Sequence, residues 1–263
     1  MDEMRMMPLI MGPIARNYRE AGAYYREREM LALQYRTNPQ AIEPLLPSCF
    51  KQRSEPIVTV AFIDNNGVDF MAGRGYRIAT VMLQVGFEGR EHRTEGYYPL
   101  AMFENDTLPI LLGRELLGVH KMFADISSIR VLANGNLRCE ASLWGHLLFG
   151  IEVGSLTEQD KTVRETAARR AGDLCLMGYK YIPSPDGPAD AAYPVSTPSD
   201  VKYDQLWLGG SGELFFGEAC ESDIALTASI IKGLKTLPVV EVVGASRTRG
   251  STVLRVDLSH RLL

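Results

Sequence analysis

A lysine in apolar company has the clearest capacity for chemistry in this chain. Lys121 follows Val119 and His120 and precedes Met122 and Phe123. Two readings are open. In one, it is a surface lysine whose stem packs on apolar neighbours while its ammonium reaches water. In the other, the amine is desolvated: burial disfavours the charged form and leaves a neutral nitrogen able to attack a ketone. Residue types alone do not separate the two. Other chemistries find less support. The histidines at 92, 120, 146 and 260 are isolated, and Cys49, Cys139, Cys175 and Cys220 form neither a CxxC pair nor a metal-ligand spacing. No GxSxG elbow is present. Gly209-Gly210-Ser211-Gly212 lacks phosphate-loop spacing and reads as a hairpin turn. Neither a metal nor a cofactor is expected.

The elements around Lys121 can be read from the same stretch. Met102 lies on the strand leading in, where it either lines a pocket or packs in the core. Asp106 or Thr107 can cap a helix, because their side-chain oxygens accept the first free backbone N–H groups. Pro109 falls in the first turn, where its missing N–H costs little. Ile110, Leu111, Arg114 and Leu117 follow at helical spacing, with Leu112 and Leu116 widening the apolar face. Gly118 ends the helix in a left-handed conformation. Lys121 then begins an extended segment. His120 either turns away from Lys121, as alternate strand side chains do, or acts as an acid or base beside it. Arg114 and Glu115 read as an ion pair or a tether from helix to strand.

Composition narrows the class. Of 263 residues, 46% are hydrophobic and 23% charged, as in ordinary globular proteins. A net charge of -4 with no basic run argues against a nucleic-acid partner. No apolar run approaches the ~18 residues of a membrane span, and the N-terminus does not read as a signal peptide. The cysteines read as reduced core thiols in a cytoplasmic setting. Residues 1–24, with Pro8, Gly12, Pro13 and Gly22, read as an irregular arm. Strands are expected at Glu29–Arg36 and Ile57–Ile63, with a short helix between them capped by Asn38 and a turn at Asp64–Gly67. One or two strands follow between Gly73 and Gly89. Past Asp125 the chain reads as mostly strand: a hairpin around Asn134-Gly135-Asn136, a strand over Gly145–Leu156 and two closing strands. Helices are expected over Glu158–Leu174 and Ser222–Lys232, and a loop from Pro183 to Pro198.

The run GRELLGVHKMF resembles the active-site segment of the acetoacetate decarboxylase family, in which Gly-Arg-Glu-Leu is followed after a few residues by a lysine. REREMLALQYRTNPQAIEPLLP and EPIVTVAFID resemble the family's first strands and helix. NGNLRCEAS, YKYIPSPDG, QLWLGGSGELFFGEA and LPVVEVVGAS resemble its later strands, in order. The resemblance implies an α+β, β-dominated fold, a curved antiparallel sheet or barrel with a few helices, as one domain over residues 1–263. It also implies a homo-oligomer. In that family, itself a general example of a lysine activated by desolvation or a cationic neighbour, the lysine forms a Schiff base with a keto acid. That role carries over to Lys121. Arg28 takes the place of the arginine facing the pocket, where a guanidinium can hold a substrate carboxylate by two parallel hydrogen bonds.

The chain departs from the pattern at four places. Ala61 and Tyr76 stand where decarboxylating members carry acids, and Tyr76 can donate a hydrogen bond from its phenol. Met122 replaces a second lysine, and His120 a proline. Apolar walls, Met122 and Phe123 among them, are then expected to desolvate the amine unaided. The implied activity is decarboxylation of a β-keto acid through a lysine imine. Aldol condensation with dehydration, or cyclisation, on the same imine is a second reading. A small-molecule binding protein without turnover is a third.

Overall fold

The central strands of this protein are apolar on both faces, and the architecture follows from covering both. The computed structural model describes residues 22–53 and 55–263. Its elements begin with β1 (Ala23–Arg36), α1 (Pro39–Ile42), β2 (Phe50–Gln52), β3 (Ile57–Val68), β4 (Tyr76–Glu88) and β5 (Arg93–Glu104). Helix α2 (Thr107–Glu115) leads to the short strand β6 (Lys121–Phe123). Next come β7 (Asp125–Ile126), β8 (Arg130–Val131), β9 (Leu137–Leu143), β10 (His146–Gly154), β11 (Thr157–Glu158) and α3 (Lys161–Gly172). The remainder is β12 (Cys175–Ile182), β13 (Ala191–Thr197), β14 (Ser199–Gly209), β15 (Ser211–Phe216), α4 (Glu221–Ile224), α5 (Thr227–Lys235), β16 (Glu241–Leu254) and β17 (His260–Arg261).

These strands form two sheets. The larger has 12 strands, running β11-β14-β16-β1-β3-β4-β5-β12-β13-β17, with β2 on β4 and β6 on β5. The smaller has five, β15-β10-β9-β7 with β8 on β9. The larger sheet does not close into a barrel. Its pairings are antiparallel except that β5 runs parallel to both β6 and β12. The main core lies between the sheets: Phe62 and Phe103 of the larger pack on Phe149 of the smaller, with ring centroids 5.6 and 6.0 Å apart. Each such fully buried side chain contributes about 1.5–3 kcal/mol. A second apolar cluster covers the opposite face of β3, β4 and β5, where α2 packs. Strands covered on both faces read as continuous apolar runs, which is why alternation along Ile57–Ile63 is only partial.

Several elements differ from the sequence reading. Strand β1 begins at Ala23, so the irregular arm cannot extend to residue 24; residues 1–21 lie outside the described residues. Asp64–Gly67 is strand, and the chain turns later, at Ala72, which is left-handed (φ 54°), and Gly73. Helix α3 starts at Lys161, where Asp160 Oδ1 accepts from Val163 N at 2.9 Å, and Thr157–Glu158 is a strand instead. The expected loop after Pro183 contains β13. The glycine run at 209–212 is not a hairpin turn: β14 pairs with β16 in the larger sheet while β15 pairs with β10 in the smaller, so the run carries the chain between sheets. The two closing strands are one, β16.

All four cysteines are free. Cys139 is buried, and burial pushes its thiol up to about 12. Cys220, by contrast, is exposed at the start of α4, not a core thiol. Native protein treated with iodoacetamide at pH 8 is therefore expected to label at Cys220 and not at Cys139 until it is unfolded. Peptide mapping by mass spectrometry checks this.

Candidate active site

Lys121 owes its position to the helix before it. Asp106 accepts from Leu108 N at 2.9 Å, which fixes the start of α2. The helix buries Pro109, Leu112 and Gly113, leaving Ile110 and Leu111 half-buried and Arg114 exposed, so its inner face is narrower than the periodicity implied. Gly118 is left-handed (φ 66°) and packs against the backbone of Lys180, where a Cβ would come within 2.5 Å of the amide nitrogen. Arg114 Nη1 donates to the Lys121 carbonyl at 3.1 Å and ties the helix to β6. Strand β6 runs parallel to β5 with Lys121 opposite Met102. Parallel neighbours need such a helical crossover.

The amine is buried and has two contacts. Lys121 is 8% exposed. Its Nζ lies 2.7 Å from Oε1 of Glu104 and donates to the Pro109 carbonyl at 3.2 Å. Glu104 is fully buried. Burial pushes its carboxyl above the ordinary range; the lysine charge opposes that shift and Asp106 adds to it. The Lys121 contact is short but poorly aligned, and neither carboxylate oxygen has a hydrogen-bond donor in good geometry among the described residues. The lysine stem fits because residue 113 is glycine: a Cβ there would lie 2.3 Å from Cε and 2.7 Å from Nζ.

The apolar surroundings are those of the second cluster. Ile63, Tyr76, Ile78 and Met102 project from the sheet, and Leu112, Leu117 and Val119 come from the α2 segment. The row of strand partners through Lys121 passes Met102, Thr80, Ala61 and Ala32. Four positions along the strands, a second row joins Arg28, Asn65 and Tyr76. Asn65 is buried, and neither its oxygen nor its nitrogen has a hydrogen-bond partner among the described residues. Arg28 is half-buried and forms no ion pair among them. Tyr76 donates to the Tyr25 hydroxyl at 3.3 Å, and both rings pack with Phe70. Burial raises the Tyr25 phenol, and the charges of Glu104 and Arg28 act on it in opposite senses.

The structure therefore places Lys121 beside Met102, whose apolar cluster also holds Tyr76 and Tyr25, while Arg28 lies in the neighbouring row with Asn65. It does not gather the other two candidates. Met122 packs against the main core on the opposite face of β6, and Phe123 is 46% exposed, so neither desolvates the amine. Strand alternation is the reason for Met122, whereas Phe123 shares the face of Lys121 but ends the strand in solvent. His120 Nε2 lies 2.7 Å from the Pro99 carbonyl, and its ring packs on Tyr98. A carbonyl only accepts, so Nε2 carries the proton. Glu104, Asn65 and Tyr25 escaped the sequence reading. Of these, Glu104 left a usable signal, an acid ending the apolar run Tyr97–Phe103, two residues after Met102. Among the described residues no cluster of three or more histidines, cysteines and carboxylates could hold a metal.

Two outcomes follow. Gly113→Ala is expected to push the lysine stem out of place and to destabilise the protein by about 1–3 kcal/mol, the usual range for overpacking. Urea unfolding gives the energy, and acylation of Lys121 by an amine reagent reports its displacement. Burial holds the His120 imidazole below its ordinary value of 6.5. The unfolded chain then binds a proton first as pH falls through that value, and native stability declines below it. His120→Gln is expected to flatten this decline in unfolding curves taken from pH 7 downward.

A family model described as acetoacetate decarboxylase matches residues 7–262. Acetoacetate decarboxylase 2 of Mesorhizobium japonicum is 30% identical over 229 residues, covering 84% of this chain and 76% of the relative. Among solved structures, acetoacetate decarboxylase from Legionella pneumophila superposes with a TM-score of 0.75 at 19% identity, over 92% of this chain and 88% of the other. The enduracididine biosynthesis enzyme MppR, complexed with the condensation product of pyruvate and imidazole 4-carboxaldehyde, has a TM-score of 0.69 at 17% identity, over 91% and 88%. With the family match spanning nearly all of its length, this chain belongs to the acetoacetate decarboxylase family.

Proposed function

We propose that this protein is a lyase that decarboxylates a β-keto acid through an imine on Lys121. The observation that carries the reading is a buried lysine nitrogen beside an apolar cluster, in a chain whose family is that of acetoacetate decarboxylase. The neutral amine attacks the substrate carbonyl, and the oxygen departs as water. The cationic iminium then draws in the electrons of the neighbouring carbon–carboxylate bond, releasing carbon dioxide and leaving an enamine. Protonation at carbon and hydrolysis return the amine and the ketone. Apolar walls favour the charge-dispersing step, because the carboxylate loses its hydration on entry. Arg28, without an ion pair among the described residues, is suited to a substrate carboxylate, and the Asn65 amide in the same row adds a donor.

The aromatic lining of Tyr25, Phe70 and Tyr76 favours a substrate bulkier and less polar than acetoacetate. Condensation of a keto acid with an aldehyde on the same imine is the second reading, favoured by the likeness of fold to MppR. Incubation with β-keto acids of increasing size, followed by borohydride and intact-mass analysis, is expected to give an adduct that maps to Lys121 and is absent in Lys121→Ala. Carbon dioxide release is expected alongside it. An adduct that survives Lys121→Ala sinks the imine, and an adduct without carbon dioxide favours condensation.

A further inference from the structure

We propose that Glu104 is a catalytic acid–base residue that carries the proton between the Lys121 nitrogen and the substrate oxygen during imine formation, a role that rests on the imine reading above. Its Oε1 lies 2.7 Å from Nζ, the reacting atom. No other titratable side chain makes a hydrogen bond or ion pair to that nitrogen among the described residues. His120 is committed to Pro99, and Tyr76 donates to Tyr25.

A purely structural role explains Glu104 poorly. A buried carboxylate that serves the fold is normally satisfied by several donors, since burying a charge is costly. This one has the lysine alone, at poor alignment, and its second oxygen has no donor among the described residues. An apolar residue of similar size would often stabilise such a site as well or better. The unused oxygen is what a proton carrier needs, because the incoming carbonyl oxygen must find an acid once nitrogen has bonded to carbon. Burial also favours the protonated carboxyl, so a proton leaving Lys121 has a place to reside.

The step balances as follows. The reactive pair is a neutral amine and a carboxylic acid. The nitrogen lone pair forms the C–N bond while the carbonyl π electrons move onto oxygen. One N–H proton passes by way of Glu104 to that oxygen, giving a neutral carbinolamine and leaving Glu104 protonated. Glu104 then protonates the hydroxyl, which leaves as water while nitrogen forms C=N. A cationic iminium and the Glu104 carboxylate replace the neutral amine and acid.

The test separates nucleophilicity from dehydration, using the full chain. 2,4-Dinitrophenyl acetate acylates an amine without expelling water, whereas acetoacetate with cyanoborohydride records imine formation. Glu104→Gln is expected to be acylated at Lys121 about as fast as the wild type, yet to form the trapped imine about 10²–10⁴-fold more slowly, the usual contribution of a general acid–base. Glu104→Asp, which keeps the acid, is expected to recover part of the rate, and it serves alone if Glu104→Gln does not fold. Imine formation by Glu104→Gln at the wild-type rate and with the wild-type pH profile overturns the proposal. So does an equal loss in both reactions, which assigns Glu104 to lysine placement. A wild type that forms no adduct at Lys121 overturns the imine reading instead.

Discussion

The site depends on one contact, a lysine nitrogen and a glutamate carboxyl held 2.7 Å apart, both largely shielded from water. An isolated buried charge of either sign is expensive, and each removes part of the other's cost. The surrounding elements provide the enclosure. Strand β5 presents Met102 and Glu104 on one face and Phe103 on the other, so one strand serves both the pocket and the core between the sheets. Helix α2 covers the same face, with Gly113 leaving room for the lysine stem.

The sheet also explains the absence of acids at two places where the family resemblance led one to look. Ala61 lies in the same row as Lys121, two strands beyond Met102. Tyr76 lies in the row of Arg28 and is engaged with Tyr25. The carboxyl near the nitrogen comes instead from the end of β5. Ala61 is fully buried, and Tyr25, Phe70 and Tyr76 pack together four positions along the strands. The surroundings are mostly apolar, with polar atoms from Lys121, Glu104 and Thr80 at one end and from Arg28, Asn65 and the tyrosine hydroxyls at the other.

Local chemistry made much of this visible in the sequence. The Asp106 cap, Pro109 in the first turn and Gly118 as the left-handed stop placed Lys121 just after a helix, and the structure has that arrangement. Asn38 likewise accepts from Gln40 N at the start of α1. What stayed hidden depends on partners distant in the chain. Asp64–Gly67 has turn-forming residues but pairs with β1 and β4, whose hydrogen bonds outweigh the local preference. The glycines at 209–212 suit a hairpin, yet only the pairing of β14 and β15 with different sheets shows that they join two layers. Glu104 was overlooked because an acid beside Asn105 and Asp106 looks like the polar end of a strand. Its burial against Lys121 depends on a partner that the chain reaches only after helix α2.

The parallel pairing of β6 with β5 gives the intervening chain the character of a ruler. Side chains on β6 alternate in direction, so the amine, the imidazole before it and the thioether after it differ in setting by a single residue of frame. Lengthening or shortening the 105–120 connection by one residue, with the β5–β6 pairing kept, would hand the Glu104 side of the strand to His120 or Met122 and turn the amine toward Phe103. The count of residues between β5 and β6 is therefore as much a part of the chemistry as the identity of the lysine.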